Sequence, residues 1–377
     1  MDINEYVKQL ETLINIDSGS HNPDGVSKVA NLLSRWYSDI GWIVKRYHLS
    51  DEVGPVLEIV NHEADHYDVM FIGHMDTVFP DGTAKERPFK TDGDLCFGPG
   101  VEDMKNGDLA MLHIAKNLPE DVNAGLNICM VHNPDEEISS QYSKDLLKQI
   151  GSRCSRIFVM ESSQNNGSGH VFERKGKSNF VIDFYGIAAH AGYIFEHENA
   201  SAVEEMGHFI CELAKLKDKE KQTSINIGIA QGGNVVNQVA DHARIELEAR
   251  YNSLEEKNRI YDSVNALIEN TYVKGCKARI SKYYDTDPWI QSEEGWRYIA
   301  RVKRLANEMG MEFEERKRGG LSDANHLAQV CPIIMDGMGP FGSNAHSEKE
   351  YMSLSSVKPC VELFLRILED LKMEVTR

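Results

Sequence analysis

The sequence predicts a doubly wound, mostly parallel α/β domain interrupted by an inserted ferredoxin-like βαββαβ unit. Three observations carry this reading. Helix and strand signals alternate as far as about Glu161, the pattern changes after Arg174-Lys175-Gly176-Lys177, and residues of metal-ligating type lie on both sides of the changed region. Residues 1–16 carry Ile3, Val7, Leu10, Leu13 and Ile14 at helical spacing with acids between them, which reads as an amphipathic helix of the mature domain and not as a leader. Residues 25–37 put Val26, Val29, Leu32, Leu33 and Trp36 on one helical face. The apolar runs 69–73, 126–131 and 156–160 read as buried strands. In the changed region, 180–187 is a strand, and 200–216 is a helix with Val203, Met206, Phe209, Ile210 and Leu213 on one face. Ile225, Ile227 and Ile229 alternate in a second strand, and Ile245, Leu247 and Ala249 in a third. A helix over 254–272 and a strand over 277–284 complete the unit. The expected domains are residues 1–173 with 287–377, and the insert 174–286.

The ends of the three buried runs are where chemistry is expected, because open α/β sheets bind ligands outside the carboxyl ends of their strands. The first run ends in His74, the second is followed by Asp135-Glu136-Glu137, and the third ends in Glu161. Asp76 is placed to accept the second ring N–H of His74, as carboxylates do behind zinc-bound histidines. Asp103, in Gly98-Pro99-Gly100-Val101-Glu102-Asp103, and His346 complete the set. Two histidines and three carboxylates are too many for one tetrahedral zinc and suit two metals sharing one carboxylate. Asp103 is the natural bridge, since its glycine-rich loop lets the backbone come close. Glu136, next to a ligand yet left over from the set, is positioned as general base for metal-assisted hydrolysis.

Those motifs, with Asp103-Met104-Lys105-Asn106-Gly107, Ala188-Ala189-His190-Ala191-Gly192 and Asn344-Ala345-His346-Ser347, run nearly end to end in one order. In this the chain resembles the di-zinc metallopeptidase family of glutamate carboxypeptidase G, peptidase T, and the aminoacylase and acetylornithine deacetylase enzymes. The resemblance implies one zinc on His74, Asp103 and Glu161, and another on Asp103, Glu137 and His346, with cobalt or manganese as substitutes. It implies a catalytic set of Glu136, Asp76 and His190, the last approaching the scissile carbonyl, from its own chain or from a neighbouring subunit. Arg250 and Asn237 would hold a substrate's C-terminal carboxylate, which suits arginine's fork of donors, and Gly320 and Ser322 would lie at the rim of the site. The insert would act as a lid and as the surface of a homodimer.

Composition sets outer bounds. A chain of 377 residues with 41% hydrophobic content can bury a large core, and a net charge of −18 argues against nucleic acid or anionic membrane as partner. No run approaches eighteen apolar residues, so no membrane span is expected. Seven cysteines without a CxxC pair favour reduced thiols in a cytoplasmic protein, with Cys129 and Cys211 in apolar patterns as core residues.

Departures from the family pattern bear on substrate. Leu321 stands where the family usually has Thr, Asn325 where deacetylase branches have Arg, and no Pro follows Asn237. Asn106 replaces a common Gly, which a left-handed backbone would tolerate. The reading is an exopeptidase cleaving the amide next to a free C-terminal carboxylate, on a short peptide or small molecule. An N-acyl amino acid deacylase is the alternative, and a catalytically silent metal-binding protein a third.

Overall fold

The computed structural model describes residues 1–376. The chain divides into two compact units: Met1–Glu173 with Gln291–Lys317 and Ser322–Arg377, and Arg174–Ile290 with Arg318–Leu321.

The first unit is built on a six-stranded sheet in the order Ile43–Tyr47, Val56–Val60, Ile128–Asn133, Val69–His74, Ile157–Val159, Ile334–Met335. The last four strands are parallel and the first two antiparallel. Val69–His74 and Ile128–Asn133 are buried at every position, as strands covered on both faces must be, which is why they read as unbroken apolar runs. Around the sheet pack the helices Ile3–Ile14, Pro23–Asp39, Lys105–Lys116 and Val357–Val375. The first has Asp2 as its N-cap and buries Tyr6, Leu10, Leu13 and Ile14, at helical spacing. The last buries Val361, Phe364, Leu368 and Leu371, and the Phe364 ring packs edge-on to both Phe71 and Phe158. Each such side chain contributes about 1.5–3 kcal/mol through burial, so Phe364→Ala would be the most damaging single change to that helix.

The second unit is βαββαβ: Gly176–Tyr185, Ala202–Ala214, Ser224–Gly232, His242–Tyr251, Leu254–Glu269 and Lys277–Thr286. Its antiparallel sheet has the order Ser224–Gly232, His242–Tyr251, Gly176–Tyr185, Lys277–Thr286. Ala243, Ile245, Leu247 and Ala249 are buried and alternate with Arg244, Glu246, Glu248 and Arg250. The fold class is the one the sequence predicts.

Details differ. Ile229 does not continue the inward alternation of Ile225 and Ile227: a register shift between Ile227 and Ile229 pairs Ile229 with Glu246 and leaves it 43% exposed. In the helix Ala202–Ala214 the expected Met206, Phe209 and Leu213 are buried and Ile210 packs against them, while Val203 and Cys211 are exposed and Ala202 and Glu205 are buried. Cys211 is therefore not a core residue. The buried Glu205 carboxylate accepts the N–H groups of Tyr272 and Val273. At the second boundary, Arg174 and Trp289 exchange backbone hydrogen bonds, which keeps residues 287–290 with the insert.

Candidate metal centre

Three strand ends and two loops of the first unit converge. Val69–His74 ends on His74, whose Nδ1 faces the Asp76 carbonyl at 3.0 Å and the Asp76 carboxylate at 3.3 Å. That carboxylate does more than orient the imidazole, the role its spacing from His74 suggests. Its two oxygens also accept the N–H groups of Glu136 and Glu137, each at 3.1 Å. Asp76 thereby fixes the short 3-10 turn Glu136–Ile138 that follows Ile128–Asn133. Glu161 follows Ile157–Val159.

Asp103 comes from a loop that needs its glycines. Gly98 and Gly100 have φ of 144° and 76°, in the region that favours glycine. The loop is held by Glu350, a buried carboxylate that accepts the N–H groups of Gly100, Glu102 and Asp103 at 2.8–3.0 Å. Sequence reasoning missed Glu350, since nothing local marks it. Asn106 is not left-handed: it lies in the first turn of Lys105–Lys116 and bonds Ser162 and, through its carbonyl, Tyr6. His346 sits in a loop with φ of 62°, a strained backbone for a residue with a Cβ, of the kind that collects at functional sites.

His74 Nε2 lies 3.1 Å from Asp103 Oδ1 and 3.5 Å from Glu161 Oε1. His346 Nε2 lies 3.1 Å from Asp103 Oδ2 and 3.1 Å from Glu137 Oε2. Two ligands bound at about 2.0–2.2 Å to one tetrahedral ion stand roughly 3.3–3.6 Å apart. Both triads are near that spacing, and Asp103 offers one oxygen to each. Glu136 lies with His74 and Glu161 in a cluster whose ligand atoms are all within 4.8 Å of one another, so it borders the site instead of standing apart. Glu137 Oε1 is buried without a hydrogen-bond partner. This donor set, carboxylate oxygens and imidazole nitrogens with one carboxylate spanning both groups, fits a pair of divalent cations.

The electrostatics agree with a site built for cations. Burial pushes the Glu136 carboxyl well above the usual range and Glu137 up to about 7, with neighbouring carboxylates adding to the effect. The Asp103 and Glu137 carboxylates raise His346 to about 11. Burial opposes ionisation of Asp103, but His346 and His74 outweigh it and hold that carboxyl low. So many acids in one buried place demand compensating positive charge.

The remaining expected residues fall in two groups. Ser322 is buried in the first unit, donates to Asp336 at 2.6 Å and caps the helix Asp323–Leu327, so its hydroxyl is engaged within the fold. Asp323, beside it, accepts from Ser140 and Asn133. In the second unit, His190 and Asn237 are brought together by the backbone bonds Ala191 N–H to Asn237 O and Val239 N–H to Ala189 O. His190 Nδ1 accepts the Gly192 N–H at 3.0 Å, which leaves the proton of the neutral ring on Nε2. Arg250 is engaged by Glu248 at 2.6 and 3.2 Å and by the Gly319 carbonyl at 2.5 Å. The Gly320 carbonyl accepts from Arg174.

A doubly wound sheet whose strand ends gather imidazoles and carboxylates in this way is the architecture of a metal-dependent amide hydrolase. The chain belongs to peptidase family M20/M25/M40, whose sequence profile matches residues 70–370. It is 26% identical over 373 residues to carboxypeptidase G2 of Pseudomonas sp. (strain RS-16), covering 97% of this chain and 89% of that one. It is 24% identical over 330 residues to succinyl-diaminopimelate desuccinylase of Delftia acidovorans, covering 82% and 83%. In fold it is similar to a tripeptidase of Staphylococcus aureus, with a TM-score of 0.79, 21% identity and 99% of each chain covered. Among the described residues no helix is long and apolar enough to cross a membrane.

Proposed function

We propose that this protein is an exopeptidase that cleaves the amide next to a free C-terminal carboxylate, using two zinc ions. The observation that carries the proposal is the pair of triads sharing the two oxygens of Asp103, with Glu136 at their border. His74, Asp103 and Glu161 would hold one ion and Asp103, Glu137 and His346 the other. A bound divalent ion supplies Lewis acidity toward water and the scissile carbonyl. Glu136 takes the proton as the water oxygen attacks the carbonyl carbon, then delivers it to the leaving nitrogen as the C–N bond breaks. His190 would present its Nε2–H to the oxyanion, and Arg250 with Asn237 would hold the substrate carboxylate. For that, Arg250 must exchange part of its present pairing with Glu248 and Gly319 for substrate.

The similarity to carboxypeptidase G2 along nearly the whole chain favours this substrate class. The similarity to a desuccinylase keeps N-acyl amino acid deacylation as a second reading on the same centre. A homodimer formed through the insert and a cytoplasmic location belong to the proposal.

Elemental analysis should find two divalent ions per chain, and full activity at a saturating single ion would defeat the shared carboxylate. A metal-reconstituted screen of dipeptides, folyl-glutamates and N-acetyl amino acids, with products identified, tests the chemistry. The expected product is a free C-terminal amino acid released from peptide or aryl amides. Release from N-acetyl amino acids alone would favour the deacylase, and release from none of the panel would overturn both.

A further inference from the structure

A cavity of about 670 Å³ lies within the first unit, and among the described residues that line it none is a candidate metal ligand. Its volume is in the range of about 300–1,000 Å³ typical of small-molecule sites. Leu95, Met311, Met338, Phe341 and Leu363 give it apolar walls. Among the described residues that line it there is no lysine or arginine, while Asp94 and Glu312 are both present. Burial opposes ionisation of Asp94, but the Ser353 and Ser355 hydroxyls and the Ser355 N–H outweigh it and hold that carboxyl low. This carboxylate stands at the turn Leu354–Ser356 that leads into the helix Val357–Val375, where an anionic ligand would otherwise be drawn.

His170, on the strand Gly169–Arg174, is a buried polar group of the cavity wall, 3% exposed. A carbonyl can only accept, so the 2.9 Å contact between His170 Nδ1 and the Gly337 carbonyl puts a ring proton on Nδ1. The ring packs on Phe313 with centroids 4.3 Å apart. Burial lowers its affinity for protons to about 4, so near pH 7 the ring is neutral and Nε2 carries a lone pair. That buried nitrogen has no hydrogen-bond partner among the described residues, and a buried acceptor of this kind favours a ligand that brings a donor. The turn Asn165–Gly167, also part of the lining, holds three successive residues in left-handed backbone, with φ of 49°, 55° and 97°, and Asn165 Nδ2 ties it to Glu314 at 2.8 Å. Such backbone persists only where its surroundings determine it, and it collects at ligand clamps.

We propose that this cavity is a binding site for a small organic amine, which lays its apolar body against Met338, Phe341 and Leu363 and donates an N–H to His170 Nε2. The apolar body exchanges water for those walls. The Asp94 and Glu312 carboxylates favour the positive charge of an ammonium over a neutral amide, and a ligand carboxylate would meet both acids with no lining cation to compensate. Glu136 and the candidate metal ligands contribute none of this surface, so the site stands or falls separately from the hydrolase reading.

The test titrates the metal-loaded full chain with three probes that share one apolar body: phenylethylamine, phenylpropanamide and phenylpropanoate. Methyl NMR of Met311 and Met338, both in the cavity lining, reads occupancy there and is blind to binding at the metal centre. The amine should bind about tenfold or more tighter than the propanoate, with the amide between them. Glu312→Lys, a change at an exposed position, should reduce that amine-to-propanoate ratio by at least about fivefold. His170→Leu removes the acceptor and should weaken the amine and the amide alike, by about fivefold or more. Methyl signals unmoved by every probe, equal binding of the three, or a preference for the propanoate overturns the site. An amine-to-propanoate ratio that survives Glu312→Lys overturns it as well, and that ratio decides alone if His170→Leu fails to fold.

Discussion

The two units bury their polar groups in different ways. The insert largely follows alternation: in one strand Ile245, Leu247 and Ala249 face inward between charged residues, and its buried acids, Asp183 on a strand and Glu205 and Glu256 on helices, bind backbone or nearby basic groups. The larger unit places ionisable groups in the middle of its core. His74, Asp76, Lys105, Asp108, His132 and Glu350 are all nearly inaccessible there. His132 Nδ1 and Asp108 pair at 2.6 Å, and Lys105 donates to the carbonyls of Leu13 and Ile16. The difference teaches that a reactive centre at strand ends needs a dry, fully covered sheet to hold acids at fixed spacing, and that such a sheet must satisfy each acid with a specific distant donor. The insert has no such demand. It leaves Phe195 97% exposed and Val236 fully so, on the segments that carry His190 and Asn237.

The sharpest way to break this contrast is at Glu136. Glu136→Gln should keep its metal and lose on the order of a hundredfold or more in turnover, because the amide cannot accept the proton of water. If that variant loses metal while Glu137→Gln keeps it, the two roles are reversed.

Acid should separate the units next. Burial lowers His113, His170 and His326 of the larger unit to about 4. Below about pH 6.5 the unfolded chain takes up protons that these folded histidines refuse, so the stability they confer is full above that pH and declines as pH falls toward 4, while Glu137, Asp323 and Glu350, raised by burial to about 7, act in the opposite sense. In the insert, Arg259 with Lys221 and Thr223 lowers Glu256 to about 2, and its contribution is retained until pH falls below about 4.5. Hydrogen exchange at pH 5 against pH 7 should therefore lose protection around His113, His170 and His326 before it does in the insert. Equal loss in both units would show that these histidines do not set the acid limit, and His170→Leu should shrink the change if they do.

Glu350→Ala should follow in size. It strands three N–H groups of the Asp103 loop, and loss of a carboxylate that supports a ligand typically lowers metal affinity by about 10–100-fold. Metal titration and thermal unfolding read the two effects, and unchanged affinity would make Glu350 a loop anchor without influence on the centre.

The smallest expected effect concerns the insert. Arg250→Ala should raise KM by roughly tenfold for substrates with a free carboxylate and little for their amidated forms, as befits one charge-assisted hydrogen-bonding group. A wild-type enzyme indifferent to amidation would remove the carboxylate role. His190→Ala should instead lower kcat, and recovery of activity on mixing it with Glu136→Gln chains would mean that the histidine is supplied across a dimer.

What the sequence determined by itself was whatever leaves a local mark. The buried strands announce themselves as apolar runs because both faces of Val69–His74 and Ile128–Asn133 are covered, and His74, Glu136, Glu137 and Glu161 then fall at or just beyond strand ends by counting alone. The alternation of Ile245, Leu247 and Ala249 likewise fixes an amphipathic strand. Tertiary structure alone decided which distant groups complete these pieces. Glu350 meets the Asp103 loop across 247 residues, Asp323 meets Ser140 across 183, and Ser20 meets Asp76 across 56. It also turned Cys211 outward, sent Ile229 to the surface at a bulge and committed the Ser322 hydroxyl to Asp336. The physical reason is that a lone buried donor or acceptor has no period to repeat. Its partner is chosen by the packing of whole elements, and the sequence that supplies it can lie anywhere in the chain.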